Sequence, residues 1–281
     1  SNISLDRFYE NMDTVSIIQD LIKLSEPFID EKTIFVWPEG ILPGISKEEL
    51  VKYKKLFDKK FSVNHLFIIG TNSEADSNGI MSYYNSLSIY DHKLNVLSSY
   101  NKINLVPFGE FLPLENFLRS IGLRSLTNNY QSFSKGKKRK LIEIEHGNFT
   151  LKILPLICYE IIYSGKINKT NSDFDLILNI SEDGWFGNSV GPYQHFSHSI
   201  FRSIEEGKNL IRSANNGISA FINPKGQIIN QIKSTERGVI EIKSFEQTKK
   251  TLFSSFGNKI FFYFLLFYIS LFFFLKKKEN R

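Results

Sequence analysis

The sequence predicts a layered α/β domain followed by one membrane-spanning helix. Short, predominantly apolar segments, such as residues 66–69 and 176–180, read as strands buried on both faces. They alternate with stretches whose apolar residues recur at helical spacing, the pattern of helices packed on buried sheets. The third observation is the run 260–275, sixteen residues without a charge, closed by Lys276-Lys277-Lys278.

The elements follow in order. Residues 11–25 place Val15, Ile18 and Ile22 on one helical face. Residues 33–37 form an apolar strand ended by Pro38. Residues 47–61 read as a helix with Leu50, Tyr53, Phe57 and Phe61 aligned, and 66–69 as a strand stopped by Gly70. A polar turn over 71–80 follows. Residues 86–90 and 94–98 pair as a hairpin around Asp91-His92-Lys93. After an irregular stretch from 102 to about 140, strands are expected at 151–158 and 176–180. A helix is expected over 194–209, with Phe196, Ile200 and Ile204 aligned. Asn215-Asn216-Gly217 turns into a strand at 218–222, and 238–242 closes the domain.

Composition narrows the function. The chain has 281 residues and 26 Phe, nine of them between positions 253 and 274. The formal charge is +6, and the six-residue tail supplies half of it. The basic run 135–140 is a solvated loop rather than a nucleic-acid stripe. A single cysteine excludes an intramolecular disulfide. No phosphate-binding glycine loop or dinucleotide fingerprint is present, so no cofactor is expected. His195 and His198 have helical i, i+3 spacing, but no third ligand stands nearby in sequence, so no metal is expected either.

Three strand ends present reactive groups: Glu39 after Trp37-Pro38, Lys102 after the hairpin, and Cys158 after Leu156-Ile157. Each alone is unremarkable. Together they suffice for acyl transfer without histidine. A carboxylate can take the thiol proton, and an ammonium can stabilise both thiolate and oxyanion.

These segments resemble the nitrilase superfamily, and more narrowly its apolipoprotein N-acyltransferase branch. The resemblance rests on Val36-Trp37-Pro38-Glu39, on Tyr100-Asn101-Lys102-Ile103-Asn104-Leu105-Val106-Pro107-Phe108-Gly109-Glu110, and on Ile157-Cys158-Tyr159-Glu160. Asp183-Gly184-Trp185-Phe186-Gly187, Gly191-Pro192-Tyr193-Gln194-His195 and Arg212-Ser213-Ala214-Asn215-Asn216-Gly217 extend it. The resemblance implies an αββα sandwich followed by one C-terminal transmembrane helix. It implies Glu39 as general base, Lys102 as oxyanion-stabilising cation, Cys158 as nucleophile and Glu110 as a second essential carboxylate. Tyr9, Tyr159, Glu160 and Trp185 are the substrate-binding residues it implies. The implied donor is a phospholipid and the implied acceptor the N-terminal diacylglyceryl-cysteine of an apolipoprotein. A nitrilase-type amidase acting on a small C–N substrate is the alternative.

The expected division is a catalytic domain over 1–250, a transmembrane helix over 251–275 and a basic tail over 276–281. The positive-inside rule puts that tail in the cytoplasm and the domain on the periplasmic side of a bacterial inner membrane. Phe108, Phe111, Leu112, Leu114, Phe117, Leu118, Ile121 and Leu123 make the loop after Lys102 apolar enough to act as a lid dipping into the bilayer. The branch carries further membrane helices ahead of this domain, so a longer parent chain is expected.

Overall fold

Alternation of apolar side chains sorts the strands into two sheets and each strand into two faces. The computed structural model describes residues 1–10, 13–77, 79–114, 132–146, 149–168, 172–245 and 247–279. The first sheet has the order β1 (Thr33–Val36), β2 (His65–Ser77), β3 (Ile80–Asp91), β4 (Val96–Asn101). The second is built from β5 (Ile142–His146), β6 (Phe149–Ile157), β7 (Leu176–Glu182), β8 (Asn209–Asn215), β9 (Ser219–Ile222) and β10 (Ile228–Ile232), in the order β10-β9-β8-β7-β6-β5. β1 runs parallel to β2, and β6, β7 and β8 run parallel to one another. The remaining pairs are antiparallel.

Strand periodicity builds three apolar layers. Leu66, Ile68, Leu87 and Ile89 of the first sheet meet Ile153, Ile157, Leu176, Leu178 and Ile180 of the second between the sheets. The opposite face of β2, Phe67 and Ile69, packs on Ile18, Leu21 and Ile22 of helix α1 (Thr14–Ser25) and on Leu50 and Phe57. The opposite face of β6 and β7, Leu154, Leu156 and Ile177, packs with Phe196 of the long helix Gly191–Glu206. Helix, sheet, sheet, helix is the order of layers, the expected αββα sandwich.

Four elements differ from expectation. Residues 71–77 continue β2 instead of turning, although they are polar. Thr71 Oγ1 donates to Ser88 Oγ at 3.0 Å, Ser73 and Ser86 share a 2.7 Å hydrogen bond, and Ser86 Oγ donates to Asn101 Oδ1 at 2.8 Å. These hydroxyls satisfy one another across three strands, so the sheet needs no apolar side chain there. The segment 47–61 breaks into a 3₁₀ turn, Glu49–Tyr53, and one α-turn, α2 (Lys54–Phe57), while still burying Leu50, Phe57 and Phe61. Residues 209–215 form the central strand β8. The long helix, α3 (Gly191–Glu206), starts earlier than expected, with Pro192 in its first turn, and ends at Gly207 with φ +65°.

The apolar C-terminal run is split. A short helix α4 (Leu252–Phe256) ends at Gly257, with φ +55°, and α5 (Lys259–Glu279) follows. The spanning candidate therefore starts at Lys259 rather than 251. Its 21 residues make about 31 Å of helix, against about 30 Å of bilayer hydrocarbon. It is long and apolar enough to cross a membrane, and its side chains stay largely exposed, with Tyr263 packing edge-on against Phe256 of α4.

The outer aromatic cluster provides a stability test. Phe67 is fully buried, with ring centroids 4.7 Å from Phe61, 5.2 Å from Phe57 and 5.6 Å from Phe35. Phe67→Ala is expected to cost about 3–5 kcal/mol in urea unfolding. A loss under about 1 kcal/mol would mean that these rings do not form a packed core.

Candidate active site

Four chain segments end at one place. β1 delivers Glu39 two residues past Trp37, β4 delivers Lys102, β6 delivers Cys158, and β7 delivers Glu182 and Asp183. Three of these strands belong to parallel pairs, whose C-terminal ends are the usual location of reactive groups in such sheets. The approach is tight. A Cβ on Gly70 would lie 2.5 Å from the Glu39 Cα, so the glycine expected to stop β2 instead lets the Glu39 backbone pass over it.

Lys102 is buried, and its Nζ lies 2.9 Å from Glu110 Oε1 and 3.2 Å from Glu39 Oε1. Burial opposes the ammonium, but the Glu39 and Glu110 carboxylates outweigh it and hold the Lys102 pKa well above the ordinary lysine value. Asn85 was not foreseen. Its Nδ2 donates to Glu39 Oε1 at 2.7 Å and to Glu110 Oε1 at 2.8 Å, spacing the two like charges with a neutral donor. Glu110 also closes its own turn, accepting from Val106 N at 2.9 Å, with Phe108 at the tip in the left-handed region, φ +63°. The second Glu39 oxygen accepts from Glu182 N at 2.9 Å. The Glu182 side chain is held in turn by Arg7, by Asn215 Nδ2 at 2.8 Å and by Gly184 N at 2.8 Å. Glu39 thus has both oxygens oriented, one by charge and one by a backbone amide.

Cys158 opens the 3₁₀ turn Cys158–Ile162 with φ +48°, a conformation that costs an ordinary residue about 1–3 kcal/mol. Its thiol is almost wholly enclosed. Burial pushes the thiol pKa far above its usual value, and the Glu39 and Asp183 charges add to this, while Lys102 and the Ser181 hydroxyl pull it down. At rest the residue is a thiol beside a carboxylate and an ammonium. Among the described residues, no group of three or more His, Cys, Asp or Glu is arranged to hold a metal.

The expected substrate-binding residues divide. Glu160 is turned into the domain, away from solvent. It is fully buried, and its carboxylate accepts from Tyr100 OH at 2.8 Å, Ile103 N at 3.0 Å, Asn104 N at 3.1 Å, Arg139 Nη2 at 2.6 Å and Ile157 N at 3.0 Å. It fastens the backbone just after Lys102 to the backbone just before Cys158, which makes it a positioning residue. Trp185 is half-exposed, with its ring 5.0 Å from Phe8. Phe8 lies over Gly40, next to Glu39. Tyr9 is 77% exposed, so Phe8 rather than Tyr9 supplies the ring that packs on Trp185. Tyr159 is partly exposed and packs edge-on against Tyr163 at 5.6 Å. Of the apolar loop, Phe108 and Leu114 are exposed and Leu112 is buried, while Phe117, Leu118, Ile121 and Leu123 lie outside the described residues.

Two outcomes are expected from this geometry. Because the thiol pKa is raised, iodoacetamide should label Cys158 faster by about tenfold per pH unit from pH 7 to 9. A plateau below pH 9 would contradict the raised value. Glu160→Ala strands the Arg139 guanidinium and three backbone donors, and should destabilise the domain by about 3–5 kcal/mol in chemical unfolding. Glu160→Gln should lose less, since it keeps an acceptor oxygen.

The carbon-nitrogen hydrolase family model matches residues 12–243. The chain is 35% identical over 209 residues to an apolipoprotein N-acyltransferase of Rhizobium rhizogenes, covering 74% of this chain and 39% of that protein. It is 36% identical over 240 residues to an apolipoprotein N-acyltransferase of Rickettsia prowazekii, covering 84% of this chain and 47% of that one. The chain spans less than half the length of these curated relatives. Among solved structures, it is similar to an amidase from Nesterenkonia sp. AN1 carrying an acrylamide adduct on its active-site cysteine, at TM-score 0.52 and 14% identity over 83% of this chain and 86% of that one. It is also similar to a CN-hydrolase superfamily protein of Xanthomonas campestris, at TM-score 0.52 and 17% identity over 80% and 81%. These structures share the sandwich. A match that runs from residue 12 to residue 243, through both sheets and all three strand ends that carry Glu39, Lys102 and Cys158, makes this chain a member of the carbon-nitrogen hydrolase family.

Proposed function

We propose that the chain is the catalytic part of a membrane-bound acyltransferase that moves a fatty acyl group from phospholipid to the N-terminal amine of a diacylglyceryl-cysteine on apolipoproteins. One observation carries the reading: a single buried cysteine, beside an ammonium clamped by two carboxylates, stands on a domain that continues into a 21-residue helix long and apolar enough to cross a membrane. The activity named for the two relatives agrees with it.

The steps follow from the site. Glu39 takes the Cys158 proton, and the thiolate attacks the ester carbonyl carbon of the donor. Lys102 offsets the charge on the resulting oxyanion. Glu110 and Asn85 keep Lys102 and Glu39 in register. The C–O bond breaks, and the leaving alkoxide takes the proton from Glu39, giving a lysophospholipid and a Cys158 thioester. The acceptor amine then attacks the thioester. Its proton passes by way of Glu39 to the departing sulfur, which restores the thiol.

The proposed setting is a bacterial inner membrane, with α5 spanning it, Lys276–Lys278 in the cytoplasm and the sandwich on the periplasmic side. Exposed Phe108, Leu114 and Trp185 then stand on loops that follow the strand ends, where an acyl chain has to enter.

Incubating the 281-residue chain with acyl-labelled phospholipid should give a thioester on Cys158, detected by mass spectrometry and absent in Cys158→Ala. Turnover of small amides without an acyl adduct would overturn the transferase reading in favour of an amidase.

A further inference from the structure

His195 meets Cys158 at its backbone carbonyl. It sits in the first turns of α3, buried, with Nε2 at 3.1 Å from the Cys158 carbonyl oxygen. A carbonyl can only accept, so Nε2 carries the hydrogen. The other ring nitrogen, Nδ1, lies 2.9 Å from Asp183 Oδ1 and 3.0 Å from Arg212 Nη2. Asp183 is gripped in turn. Arg212 Nη2 donates to its two oxygens at 2.9 and 2.7 Å, and Ser181 Oγ donates at 2.7 Å. Arg212 is fixed by the Ile218 carbonyl at 3.1 Å and by Asn179. Burial would raise the Asp183 carboxyl, yet Arg212 and His195 hold it well below the usual carboxylate range, so the anchor stays charged. The space behind it is closed: a Cβ on Gly217 would lie 2.1 Å from Asp183 Oδ2.

We propose that His195 is a positioning residue for the acyl-transfer step: by holding the Cys158 carbonyl, it keeps the nucleophile in its left-handed turn, with the sulfur at Glu39 and Lys102. This rests on the reading of Cys158 as the nucleophile. A φ of +48° is unfavourable for cysteine, and rotation of the flanking peptides would relax it and swing the side chain. The carbonyl is the group such a rotation must move. The Arg212–Asp183–His195 chain ties that carbonyl to β7, β8 and α3, so relaxation costs a buried, charge-backed hydrogen bond. Backbone before Cys158 is held separately, through Ile157 N and Glu160. The nucleophile is therefore pinned on both sides, by Glu160 before it and by His195 at its own carbonyl.

Because Cys158 is the only cysteine, the test can watch this one carbonyl. The chain is labelled with carbonyl-¹³C cysteine, and its single labelled carbonyl is followed by NMR and infrared spectroscopy in wild type, His195→Ala, His195→Asn and His195→Gln. Thioester formation from acyl-labelled phospholipid is timed in the same samples. Asparagine can replace Nδ1 toward Asp183 but does not reach Cys158; glutamine reaches the carbonyl. His195→Ala and His195→Asn are expected to shift the carbonyl signal to that of a weaker hydrogen bond and to slow thioester formation by roughly tenfold to hundredfold. His195→Gln is expected to restore both. Phe196→Ala, a buried change on the same helix in a different apolar cluster from Cys158, controls for loss of stability. The inference is overturned by an unmoved carbonyl signal in His195→Ala, by a rate within about threefold of wild type there, or by equal slowing in Phe196→Ala. Wild type that makes no thioester would count against the acyl-transfer reading alone. The carbonyl signal needs no lipid, so it still tests the His195 contact in that case.

Discussion

The site is organised around the ammonium of Lys102. Removing that charge from water costs several kcal/mol even after relaxation, and only close, well-aimed anions repay it. Two are present, and they come from opposite directions in the chain: Glu39 from the end of β1, Glu110 from the turn beyond β4. The requirement therefore pins β1, β4 and the 106–110 turn to one point. Two carboxylates around one cation would repel each other if left alone. Asn85, on β3 between those strands, donates to both and relieves this. The first sheet thus carries its half of the chemistry as one hydrogen-bonded unit.

The second sheet carries the sulfur, and its electrostatics run the other way. Enclosure and the Glu39 charge both disfavour a thiolate at Cys158, and Lys102 offsets them only in part. A thiol held neutral beside a base does not react until substrate arrives and the proton can move. Such a site spends little time as an exposed, oxidisable thiolate. Joining the two halves falls to residues that do not react. Glu160 ties the backbone after Lys102 to the backbone before Cys158, and Glu182 presents its amide to Glu39 while its own side chain is locked by Arg7 and Asn215.

How much of this the sequence disclosed depended on which force set each element. Strands fixed by apolar burial, such as 66–69 and 176–180, were legible because a short apolar run bounded by polar or turn residues fits a strand buried on both faces. Residues 71–77 were not, because their strand is held by hydroxyl-to-hydroxyl bonds whose partners lie 13 to 17 residues away. β8 was hidden by Arg212, a charge in a central strand that is tolerable only because Asp183 and Asn179 meet it. The reactive trio was readable as chemistry at strand ends. Asn85 was invisible, since nothing local separates a bridging asparagine from a surface one. Glu160 and His195 were visible as motif residues, Glu160 as an expected substrate-binding residue and His195 as a histidine set aside for want of a third ligand, but their hydrogen bonds to distant backbone show only in the fold.

The same helix that steadies the nucleophile also holds the apolar C-terminal segment. His195 lies near the start of α3. At its other end, Ser254 Oγ donates to Glu206 Oε2 at 2.5 Å, and the Glu205 carbonyl accepts from Thr251. Glu205 also accepts from Ser164 Oγ at 2.8 Å, just beyond the turn that Cys158 opens, and Asn258 Nδ2 reaches the Ser164 carbonyl at 3.2 Å. α4, the start of α5, the nucleophile turn and α3 are therefore one mechanically connected block. Under the proposed acyl transfer, whose donor is confined to a bilayer, the height of the sulfur above the membrane is itself a catalytic variable, because an ester carbonyl cannot leave the interface far. A helix that grips the anchor at one end and the nucleophile's carbonyl at the other sets that height directly.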